Sequence, residues 1–124
     1  MTDIAPLAPQ EAVRFDSGRV QDIVNELGET AAESVIQHAL EQMAGAVALL
    51  QDATAAGNGH ALIAQAERLS RLALQVGLVS LSGVAGDVAI CARRGDPVAL
   101  NATLARVVRI ANRSLTEIWD GVGA

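Results

Sequence analysis

Glycines at positions 28, 57, 59, 77, 95 and 121 cut the middle of this chain into pieces, and each piece repeats its apolar residues at helical spacing. That punctuation constrains the fold more than anything else in the sequence. Val20, Ile23, Val24 and Leu27 stand at i, i+3, i+4, i+7, so a first helix is expected from Ser17 or Gly18 to Leu27, with Gly28 just beyond its end. Thr30-Ala31-Ala32-Glu33 has the form of a capping box opening a second helix to about Ala55. Its inward stripe is read as Val35, Ile36, Ala39, Leu40, Met43, Val47 and Leu50. Asn58 is a candidate N-cap for a third helix from Gly59 to Val76, with Leu62, Ala66, Leu69, Ala73 and Val76 on one face. On its opposite face lie His60, Ala64, Glu67 and Arg71. A fourth helix from Ser80 to Arg94 buries Leu81, Val84, Ala85, Val88 and Cys91. Asp96-Pro97 restarts the chain as N-cap and N1 of a fifth, which runs to about Asp120 with Leu100, Leu104, Val107, Ala111, Leu115 and Ile118 inward.

Connections this short make consecutive helices antiparallel neighbours. The expected fold is therefore all-α: an up-down-up-down four-helix bundle with a short extra N-terminal helix. Residues 1–14 hold Pro6 and Pro9 and little periodicity, and read as an N-terminal arm with at most a short helix over Gln10–Phe15. The bundle takes up 15–124, with Phe15 as the large anchor at one end.

Composition narrows the function classes. The net charge of −5 argues against nucleic acid. All nine basic residues are arginine, which leaves no lysine for Schiff-base chemistry. The longest apolar run, Met43 to Leu50, has eight residues, where a bilayer span needs about twenty. With Met1-Thr2-Asp3-Ile4 lacking a signal-peptide pattern and Cys91 alone, the expectation is a soluble cytoplasmic protein.

One set of spacings resembles the histidine-containing phosphotransfer (HPt) domains of two-component signalling. Ala66, Leu69, Ala73 and Gly77 fall on that family's pattern along the helix that carries its phosphoaccepting histidine. Leu81, Ala85 and Val88 fall on the apolar positions of the next helix, Gly95-Asp96 on the Gly-Asp before the last, and Gly57-Asn58 on the turn before the active helix. Phe15-Asp16 is similar to the family's opening residues. The resemblance implies a phosphorelay scaffold that docks on a receiver domain or a histidine-kinase component.

The departures lie at the reactive positions. Glu67 stands where the family has His, Ser70 where it has Lys, and Arg71 where it has Gly. The imidazole is the nucleophile that takes the phosphoryl group from an aspartyl phosphate, and a carboxylate is no substitute carrier. The resemblance therefore implies a binding protein, not an enzyme, with Ile63, Ala64, Glu67, Ser70, Arg71 and Leu74 as the partner-binding set. Against it stands a plainer reading, in which Glu67 and Arg71 form an exposed i, i+4 ion pair and Ile63 and Leu74 pack on a neighbouring helix.

Two alternatives remain open. His60 or His38 could serve as phosphoacceptor, although registering His60 on the family pattern displaces Gly77, Leu81 and Gly95-Asp96 by seven residues. Alternatively the likeness is architectural and the chain acts by homodimerisation or in an unrelated complex. No cofactor is implied, and His38 with Glu41 is too little for a metal site. Gly57-Asn58-Gly59 and Gly83-Val84-Ala85-Gly86 lack a phosphate-loop signature and read as a turn and as helix packing.

Overall fold

The computed structural model describes residues 16–123, with side chains as far as Thr116. The expected arm, its short helix, the Phe15 anchor and the inward Ile118 lie outside those described. Five α-helices follow one another with no strand among the described residues: α1 Ser17–Leu27, α2 Glu29–Ala56, α3 Gly59–Gln75, α4 Val79–Arg94 and α5 Pro97–Gly123. None of them is long and apolar enough to cross a membrane.

Helices α3 and α5 start where a side chain satisfies a free amide. Asn58 Oδ1 accepts from the Ala61 amide at 3.0 Å, and Asp96 Oδ1 from the Ala99 amide at 3.1 Å, as both N-cap expectations require. The Thr30 capping box does not form. Gly28 alone separates α1 from α2, its amide closing on the Val24 carbonyl at 2.8 Å. Helix α2 thus begins at Glu29, without any side-chain cap, and Thr30 and Glu33 already lie inside it.

Each of α2 to α5 packs along the next, and α2 and α5 meet over a shorter stretch. Helix α1 rests on α2. The shared core holds Ile36, Met43, Leu50, Leu69, Leu81, Val88 and Val107, all fully buried. Burying side chains of this size contributes about 1.5–3 kcal/mol each. Between them, Ala32, Ala46, Ala66, Ala73, Ala85 and Ala111 are buried almost completely, which lets the helices approach closely.

Two burial expectations, those for Val35 and Cys91, need correction. Val35 is 45% exposed, because the buried line of α2 runs through Ala32, Ile36, Leu40, Met43, Ala46, Leu50 and Ala53 instead. Cys91 is only half-buried. Leu78, between helices, is wholly buried. One polar residue, Ser114 of α5, is fully buried with its hydroxyl unpartnered among the described residues.

A latch ties the start of α1 to the end of α3. The Asp16 amide donates to the Gly77 carbonyl at 2.7 Å, and Arg19 Nε donates to the Gln75 carbonyl at 2.8 Å. Gly77 adopts φ +82°, and a Cβ there would lie 2.5 Å from the Asp16 carbonyl oxygen. Both the backbone angle and the closeness of Asp16 demand glycine.

Candidate functional site

Helix α3 presents Ala66, Leu69 and Ala73 to the core, which turns Ala64, Glu67 and Arg71 away from it. Its two flanks are tied to different neighbours. Toward α4, Ser70 Oγ donates to the Ser82 carbonyl at 2.8 Å and lies 3.1 Å from the Ser82 hydroxyl. On the same flank the Arg93 guanidinium donates to the Glu67 carboxylate across the α3–α4 seam. Toward α2, Arg68 donates to Gln42 and, at 3.3 Å, to Gln65.

These ties revise the local reading of the helix. Glu67 does not pair with Arg71, its i+4 neighbour; it pairs with Arg93, 26 residues away. The pair is half in water, with Glu67 40% and Arg93 51% exposed, so it contributes roughly 0.2–1 kcal/mol. Ser70 is no outward residue but part of the α3–α4 contact. Gly86 of α4 lies against it, with an added Cβ falling 3.9 Å from Ser70 Oγ.

The expected partner-binding set therefore divides. Ala64, Arg71 and Leu74 are exposed, Leu74 at 61%. Glu67 is half-exposed and held. Ile63 is half-buried and packs on the core, as the plainer reading has it. Helix α4 adds residues outside the expected partner-binding set: Gly86, Ile90 and Arg93 recur at i, i+4, i+7, and Ile90 is exposed. The result is a shallow face with an ion pair at its seam, exposed Leu74 and Ile90, and an arginine, Arg71, with no acidic partner among the described residues.

The two histidines lie elsewhere. His60 is exposed in the first turn of α3. His38 is exposed on the polar face of α2 with Thr30, Glu33, Ser34, Gln37 and Glu41. Among the described residues no group of three His, Cys, Asp or Glu side chains could hold a metal ion. On the α3–α4 face the Ser70 hydroxyl is engaged by the carbonyl and the hydroxyl of Ser82.

No protein-family model matches this chain, and neither the curated proteins nor the solved structures compared with it include a match.

Proposed function

We propose that this chain is an up-down-up-down four-helix bundle of the HPt type, with α1 as the added N-terminal helix, that works by binding and not by carrying phosphate at position 67. Its partner is a receiver domain or a histidine-kinase component, met in the cytoplasm across the outer face of α3 and α4. The observation that carries the reading is the state of Glu67. At the position where the resembled family keeps its nucleophilic imidazole, a carboxylate is engaged by Arg93 in a cross-helix ion pair. A carboxylate has no imidazole nitrogen to offer. The exposed Leu74 and Ile90 beside it supply apolar contact, and Arg71 supplies a cation.

The test uses receiver domains, with and without phosphate on their aspartate, titrated against the wild type and a Leu74→Ser/Arg71→Glu variant. Binding that weakens by about tenfold or more in the variant supports the reading. Equal binding, or none by the wild type, overturns it. A parallel incubation with radiolabelled phosphoreceiver gives the decisive negative: stable acid-labile label on the wild type would sink the reading. His60→Ala and His38→Ala would then show which histidine carries it.

A further inference from the structure

Charge is divided unevenly along the fold. Between Asp16 and Ala56, the span of α1 and α2, seven acidic residues stand against the single Arg19. Between Gly59 and Thr116, seven arginines stand against three acidic residues. No arginine or lysine occurs from Val20 through Glu67. The span of α1 and α2 is thus negative and the span from Gly59 to Thr116 positive, within a net charge of −5; Glu117 and Asp120 follow at the end of α5.

Each span has a focus. At the α1–α2 joint, Leu27, Glu29, Ala31, Ser34 and Val35 line a shallow hollow. Leu27 is 47% exposed and Val35 45%, large apolar side chains open to water. Glu29 lines it, and Glu26 and Glu33, both exposed, are the chain neighbours of its lining residues Leu27 and Ser34. On α5, Arg106, Arg109 and Arg113 recur at i, i+3, i+7 and are all exposed, with no acidic residue between Pro97 and Thr116. Ala102 and Ala105 keep the same side of the helix low.

We infer that a second copy of this chain docks here, the arginine face of α5 in one copy covering the acidic hollow of the other. The fit is chemical as well as electrostatic. Arginine stems are apolar and cover surface such as Leu27 and Val35, while their guanidinium heads reach carboxylates beyond. Arg106, Arg109 and Arg113 each take part in a contact within their own chain. A guanidinium has five donors in a planar fork, so such a residue can serve a second carboxylate as well. Because both faces are on every copy, two copies can exchange the contact reciprocally and close as a dimer. The contact is separate from the α3–α4 face proposed for a signalling partner.

Sedimentation of the full chain over a salt series tests this. Raising salt from about 0.1 M to about 1 M cuts the screening length from about 10 Å to about 3 Å. A mass twice that of the chain in low salt, falling to the monomer in high salt, is expected. Glu29→Arg/Glu33→Arg and Arg106→Glu/Arg109→Glu should each be monomeric in low salt, and their equimolar mixture should regain the doubled mass. Circular dichroism reports whether either variant has lost helix, and the wild-type series reads out without any substitution. A wild type monomeric in low salt, a mass indifferent to salt, a mixture of folded variants that stays monomeric, or an open series of higher oligomers would each overturn the inference. So would a monomer that captures polylysine, which would assign the acidic hollow to a different, basic partner.

Discussion

Replacing Gly77 by alanine should cost this protein more than the same change at any other helix-ending glycine. At φ +82° an L-residue is strained by about 1–2 kcal/mol. The new Cβ would also sit 2.5 Å from the Asp16 carbonyl oxygen and 3.2 Å from Arg19 Cβ. Relief requires Asp16 to move, which breaks its amide bond to Gly77 and the Arg19 bond to Gln75, at about 1 kcal/mol each. The sum is about 3–4 kcal/mol, equivalent to a fall in Tm of roughly 10 °C for a domain of this size. Undocking of α1 caps the loss, because the chain can shed the latch and keep the rest of its core. Gly95→Ala is the control: φ is +67° but nothing lies within 4 Å of the added Cβ, so only the strain applies. Urea and thermal unfolding followed by circular dichroism compare the two, and amide exchange should quicken in α1 of Gly77→Ala alone. Equal losses for the two variants, or unchanged exchange in α1, would refute the reasoning.

Asn58→Ala and Asp96→Ala each remove a cap acceptor and should lower stability by about 1 kcal/mol, additively in chemical denaturation, since the two helix starts share no partner. Ser114→Ala deletes a buried hydroxyl with no described partner and should raise stability by about 1 kcal/mol in the same assay. If the HPt-type scaffold is right, Glu67→His combined with Arg71→Gly should take acid-labile label from a phosphoreceiver. Glu67→His alone should take little, because Arg71 still fills the approach to position 67.

Local signals in the sequence read the helices well where a single residue type does one job. Asn58 and Asp96 are caps because their short side chains reach an amide three residues on, and that reach is contained in the sequence. Leu62, Ala66, Leu69, Ala73 and Val76 are buried as their spacing implies. Thr30 misled because a capping box needs a residue outside the helix, and the one-residue joint at Gly28 leaves no such place. Val35 misled because α2 runs for 28 residues and its buried line passes through alanines, which carry a weak hydropathy signal. At the candidate site the limit is different. Glu67 and Arg71 satisfy the local rule for an ion pair, yet Arg93 wins the carboxylate from a neighbouring helix. Ser70 likewise answers to Ser82, twelve residues on. No periodicity within one helix encodes which residue of another will stand opposite.

The latch between Asp16 and Gly77 bears on the order in which the molecule assembles. Packing among α2, α3, α4 and α5 is mainly between consecutive helices, so each hairpin closes over a few connecting residues and can form early and fast. The bond from Arg19 to Gln75 instead spans 56 residues and requires the far end of α3 to exist before there is a carbonyl to meet. The latch of α1 on the end of α3 should therefore close last on the folding route and open first on the unfolding route. A substitution such as Gly77→Ala would then quicken unfolding while leaving the refolding rate nearly untouched.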